Sequence, residues 1–159
     1  MKTLIVFYSY EGSTKFIAQT IANEIGADIL EIKPEKEMQS HGFMKYIWGG
    51  RQATMKAKPT LLPFDKNPAD YDLIIIGTPV WAFNMAPPIR SFLAQIKLTN
   101  KKIALFCCHE GSPGKTLENM ENKLQRNEII GKMDFMKVVA QKDNNTKKAK
   151  EWIKQINII

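Results

Sequence analysis

Residues 2–14 read KTLIVFYSYEGST, and the architecture follows from that order. Residues 2–8 are rich in β-branched and aromatic side chains, the composition of a strand. They run into the polar loop Ser9-Tyr10-Glu11-Gly12-Ser13-Thr14. From Ser13 the apolar positions Ile17, Ala18, Ile21, Ala22 and Ile25 keep helical spacing, and Gly26 is a natural helix stop. A short apolar strand, a glycine-bearing polar loop and an amphipathic helix make the opening of a βα unit.

The same alternation continues along the chain. Residues 28–33 alternate as a second strand closed by Pro34, and residues 73–76 are an unbroken apolar run, as in a parallel strand covered on both faces. Pro87 and Pro88 open a helix whose stripe is Ile89, Phe92, Leu93 and Ile96. Residues 102–108 read as a fourth strand, Leu117, Met120 and Leu124 as a helix, residues 135–140 as a fifth strand, and Ala149, Trp152, Ile153 and Ile156 as a last helix. Residues 35–70 fit the pattern least. Phe43, Met44, Ile47 and Trp48 predict a short helix broken by Gly49 and Gly50, and Pro59, Pro63 and Pro68 punctuate a loop. Five β units joined by helices predict an α/β fold with a doubly wound parallel sheet. Right-handed crossovers then gather the strand-to-helix loops at one edge, where ligands bind. Those loops are 9–14, 78–86 and 108–115.

Composition excludes several classes. The 159 residues, 44% hydrophobic and 25% charged, predict one globular domain over residues 1–159. The longest apolar run, residues 103–108, is far short of the roughly 18 residues of a membrane span. Residues 4–8 are too few for a signal-peptide core, so a cytoplasmic protein is expected. Cys107 and Cys108 are the two cysteines. As strand neighbours they point to opposite faces, so they cannot hold one metal together, and free thiols in a reducing compartment are expected. The net charge of +7 arises in the second half, because residues 1–79 carry nine charges of each sign. Its lysines are interleaved with Asp134, Asp143 and Glu151 and have few aromatic neighbours, so the reading is a solvated face and no nucleic-acid partner.

Each loop carries a chemistry. In the first, Gly12 lets the backbone turn tightly, while Ser9, Ser13, Thr14 and the helix start offer hydroxyl and N–H donors to an anion; plain capping by Ser13 or Thr14 is the competing reading. The second, Thr78-Pro79-Val80-Trp81-Ala82-Phe83-Asn84-Met85-Ala86, carries two large aromatics that either stack on a flat ligand or fold back onto the domain. In the third, Cys108-His109-Glu110-Gly111-Ser112-Pro113-Gly114, His109 reads as a proton donor or positive neighbour, or as a solvent-facing loop residue. No Gly-x-Gly turn for a dinucleotide is present. Gly114-Lys115-Thr116 lacks the earlier glycine of a P-loop, that position being His109. No spacing links His109 or His41 to a metal, and no Gly-x-Ser-x-Gly elbow supports a hydrolase.

These three loops, in this order, resemble the flavodoxin-like superfamily over nearly the whole chain. KTLIVFYSYEGST resembles its Ser/Thr-x-x-Gly-x-Thr phosphate motif, and IIGTPVWAFNMAPPIRSFL (residues 75–93) its Gly-Thr-Pro segment. The resemblance implies a three-layer α-β-α sandwich, a five-stranded parallel sheet in the order 2-1-3-4-5, and FMN as cofactor. It implies that Ser9, Tyr10, Glu11, Gly12, Ser13 and Thr14 surround the FMN phosphate. Thr78, Pro79, Val80, Trp81, Ala82 and Phe83 would meet the ribityl chain and one side of the ring. Cys108, His109, Glu110 and Gly111 would border its other side. The fifth strand leads to the last helix through a short turn, which resembles the short-chain form.

The chain departs from the pattern in three respects, one being a third loop with no aromatic to stack on the flavin. Many flavodoxins place a glycine in the second loop near the flavin; here no glycine lies between Thr78 and Pro88, and Asn84 is the most permissive residue. Typical flavodoxins are acidic, and this chain is basic. The resemblance implies an electron carrier working between a reductase and an acceptor protein. The alternative is an NAD(P)H-dependent FMN quinone or nitro reductase, with Phe43, Tyr46 and Trp48 as a candidate wall of its substrate pocket. A regulatory module without flavin is the third reading, disfavoured by the intact phosphate loop.

Overall fold

The structure is a computed structural model that describes residues 1–36 and 58–157. In chain order its elements are β1 (Thr3–Phe7), α1 (Ser13–Ile25), β2 (Asp28–Glu31), a 3-10 turn (Pro68–Asp70), β3 (Leu73–Trp81), β4 (Asn84–Met85), α2 (Pro87–Gln95), β5 (Lys102–His109), α3 (Thr116–Asn122), β6 (Glu128–Met136) and α4 (Lys142–Asn157). The sheet runs β2-β1-β3-β5-β6, all parallel, with β4 paired antiparallel to β3. Counting the five parallel strands alone, this is the order 2-1-3-4-5.

Alternation along each strand builds the layers. In β1, Leu4 and Val6 join Ile74, Ile76, Ile103 and Leu105 beneath α2 and α3. Ile5 and Phe7 join Leu73, Ile75, Ala104 and Phe106 beneath α1 and α4. A central strand with two buried faces has no polar position to spare, and all five residues of β1 are buried. Gly26 ends α1 in the left-handed conformation at φ 69°, donating its N–H to the Ala22 carbonyl at 2.8 Å. At the far end of the sheet's β2 edge, the Tyr71 hydroxyl donates to Asp28 at 2.7 Å.

The basic second half is largely tied down. Glu24 on α1 receives Lys150 and Lys154 of α4 at 3.3 and 3.0 Å. Hydrogen bonds from Lys154 and Lys150 hold its carboxyl below the usual range. Lys142 lies over the Phe16 ring and Lys148 over Phe135.

Two expectations are corrected. The fifth strand covers Glu128–Met136 and not residues 135–140. As an edge strand it is only half-buried, with Lys132 and Asp134 breaking its apolar pattern. Gly131 makes room there for the last helix: a Cβ would lie 2.6 Å from Ile156 Cδ1, and that side chain would have to shift. Residues 78–86 are mostly not a loop: β3 continues to Trp81 and turns back as β4. The last helix begins earlier than its apolar stripe, at Lys142. The short helix expected around Phe43, Met44, Ile47 and Trp48, with His41 and Tyr46, lies outside the described residues.

Candidate functional site

The first wall of the site is the start of α1. Gly12 is its N-cap at φ 103°, with no side-chain cap, so capping by Ser13 or Thr14 is not what the structure has. Ser9 Oγ instead accepts from Lys15 N at 3.1 Å, and the first helical bond runs from Phe16 N to the Gly12 carbonyl. The N–H groups of Ser13 and Thr14 have no partner among the described residues, as the opening donors of a helix have none within it. No acidic side chain occupies the first turn to neutralise the positive end of the dipole. Thr14 is only 1% exposed and forms a hydrogen bond with the Cys108 thiol. Burial outweighs that bond and pushes the thiol up to about 12. Cys107 is likewise buried, free and raised by burial.

The second wall is the β3–β4 hairpin. Val80 faces Met85 and Trp81 faces Asn84, leaving a two-residue turn of Ala82 and Phe83 at φ 48° and 61°. Such turns favour Asn-Gly, and a Cβ at positive φ is strained. Asn84, the residue best suited to that conformation, lies in the strand instead. Its Oδ1 accepts from Met85 N at 2.8 Å and from Asn119 Nδ2 at 3.1 Å. Thr78 Oγ1 donates to the Pro79 carbonyl and accepts from Ala86 N at 3.0 Å, pinning the hairpin base. The third loop presses on the tip: a Cβ on Gly114 would lie 2.6 Å from Phe83 Cβ and 2.8 Å from Phe83 O. The two aromatics part company here. Trp81 packs edge-on to Tyr8 and Tyr10, with ring centroids 5.6 Å away in both cases, and still borders the space between the walls. Phe83 stands at the rim, 67% exposed.

The third wall begins at His109, the last residue of β5. It is not a solvent-facing loop residue. Its side chain is 5% exposed, and Nε2 lies 2.7 Å from Asp134 Oδ2 on β6. Nδ1 is buried with no hydrogen-bond partner among the described residues. Among the described residues no hydroxyl is hydrogen-bonded to the His109 ring.

Between the three walls lies a cavity of about 530 Å³. Ser9, Tyr10, Glu11, Ser13, Thr14, Pro79, Val80, Trp81, Ala82, Phe83, Cys108, His109, Glu110 and Gly111 line it, together with Ser112 and Val138. Gly12 and Thr78 do not: the first shapes the loop, the second the hairpin. Val138 was hidden by the misplaced fifth strand, whose true end at Met136 makes residues 137–141 a fourth loop at this edge. Ser112 belongs to the third loop, residues 108–115. Among the described residues no cluster of His, Cys, Asp and Glu could hold a metal, and no helix is long and apolar enough to cross a membrane.

The flavodoxin family model matches residues 2–156. The chain belongs to the flavodoxin family. A flavoprotein of Lactobacillus acidophilus NCFM, solved in complex with FMN, is 28% identical to this flavodoxin-family chain. The match covers 88% of this chain and 97% of that one, with a TM-score of 0.68. A putative flavoprotein of Bacteroides eggerthii DSM 20697 shares the fold at TM-score 0.78 and 20% identity, over 98% of both chains. NAD(P)H dehydrogenase (quinone) 3 of Rhizobium meliloti (strain 1021) is 32% identical over 102 residues, 59% of this chain and 43% of that protein. The chain therefore spans under half the length of this curated relative.

Proposed function

We propose that the chain binds FMN in this cavity and carries electrons between a reductase protein and an acceptor protein. The observation that carries the reading is the division of the cavity: unpartnered helix N–H groups at one end, aromatic and apolar side chains at the other. A phosphate monoester on a flat apolar ring has that same division. The N–H groups of Ser13 and Thr14, with the hydroxyls of Ser9, Ser13 and Thr14, would hold the phosphate. Trp81, Val80 and the third loop would flank the ring and exclude water, leaving the ring edge near Phe83. Bound FMN supplies a ring that takes up and releases electrons. Two buried free cysteines fit a reducing, cytoplasmic setting.

The likeness to the quinone dehydrogenase favours a second reading, an NAD(P)H-dependent FMN quinone or nitro reductase. The exposed Phe83 at the rim could then meet a flat substrate. A potentiometric titration of the FMN-loaded protein separates the two. A carrier shows two resolved one-electron steps and negligible turnover of NAD(P)H with a quinone. A single two-electron step with rapid NAD(P)H-dependent quinone reduction would replace the carrier by the reductase.

A further inference from the structure

His109 and Asp134 are joined in a way the binding of a phosphate and a ring does not require. On β5 and β6, Cys107 faces Asp134 and His109 faces Met136, so His109 and Asp134 are diagonal neighbours whose side chains share a face. An ionised carboxylate only accepts, so Nε2 carries the hydrogen of the 2.7 Å bond and Nδ1 keeps the lone pair. That lone pair is buried and unpartnered while the imidazole lines the cavity. Among the described residues Nδ1 has nothing to accept from and the Asp134 carboxylate has no other charged partner, which leaves Nδ1 as the place for an added proton.

We propose that His109, held by Asp134, takes up one proton when the ring bound in the cavity is reduced, and serves as its counter-charge. This rests on the FMN reading. An oxidised flavin that receives two electrons and one proton keeps one negative charge. The second proton, drawn from solvent, bonds to His109 Nδ1 and not to the ring. Two electrons from an external reductant and two protons are consumed, and the net charge of ring plus imidazole is unchanged. In the low dielectric of a closed site, that balance decides where the proton sits.

The charged surroundings are consistent with this direction. Lys148 of α4 donates to the Asp134 carbonyl at 2.6 Å and not to its carboxylate, leaving the carboxylate to His109. Glu121 of α3 is taken up by Lys132. Glu110 of the third loop and Glu11 of the first border the cavity, Lys137, whose N–H donates to the His109 carbonyl at 2.9 Å, brings an opposing positive charge to the fourth loop, and the thiols of Cys107 and Cys108 stay neutral near pH 7. The hairpin tip, Ala82 and Phe83, brings no charge.

The test is nitrogen NMR of the histidine rings at one fixed pH near neutrality, on the protein with FMN oxidised and then reduced by dithionite. His41→Gln assigns the signals. FMN uptake is followed in the same sample by fluorescence quenching. The proposal expects the neutral-ring pattern in the oxidised sample and the doubly protonated pattern in the reduced one. It also expects the mean of the two one-electron midpoint potentials to fall with pH twice as steeply as for one proton per two electrons, and Asp134→Asn to halve that slope. FMN bound with an unchanged His109 pattern and a one-proton slope overturns the proposal and leaves the cofactor assignment standing. No FMN uptake overturns both.

Discussion

The two principal walls of the cavity are built on opposite principles. The first, at the start of α1, acts through backbone: Gly12 turns the chain and the unpartnered N–H groups point outward, so side-chain identity matters little unless it adds charge or bulk. The second, the β3–β4 hairpin, acts through side chains held by a strained turn. Ala82 and Phe83 sit at positive φ because Asn84, Asn119, Thr78 and Gly114 hold them there. The difference teaches that the phosphate end should fail through charge and the ring end through lost packing or lost strain control.

The largest effect should come from charge at the first wall. Thr14→Glu places a carboxylate at the helix start, and repulsion of a phosphate by roughly 3 kcal/mol or more lowers FMN affinity at least about 100-fold. Fluorescence titration should show riboflavin, which lacks the phosphate, far less affected; an equal loss for both would break the distinction. Next is Gly114→Ala, which strains the loop and pushes on Phe83, costing about 1–3 kcal/mol of stability in a chemical denaturation curve. It should weaken FMN and riboflavin alike. Trp81→Ala should cost about 0.5–1.5 kcal/mol of binding for both ligands, beyond any loss of stability; a loss confined to FMN would move Trp81 to the phosphate end. Smallest is Ser9→Ala. It removes one hydroxyl donor to the phosphate and the acceptor of the Lys15 N–H, both of which water can replace at this exposed position, so FMN binding falls by about 0.5 kcal/mol in the same titration.

The first wall was legible in the sequence because every feature of it is local. An apolar strand, a glycine and a helical stripe lie within residues 2–26, and the structure follows them almost residue for residue. The hairpin was less legible. Nothing in Trp81-Ala82-Phe83-Asn84 signals a turn, since the residues that hold it come from α3 and the third loop. β6 was misplaced because an edge strand is allowed charges and a glycine, and Gly131 answers to Ile156 of a helix 25 residues on. The same error hid both the Val138 lining and the partnership of His109 with Asp134, which depends on strand register that one sequence does not display. Strand order itself came from resemblance and not from periodicity, which is silent on which strands neighbour each other.

The most direct test of the account is a comparison of FMN and riboflavin binding to the unaltered protein by isothermal titration. A phosphate held by the start of α1 predicts FMN tighter by at least about 100-fold, roughly 3 kcal/mol, with an advantage that shrinks as salt rises. Equal affinities for the two, or no uptake of FMN, would contradict it.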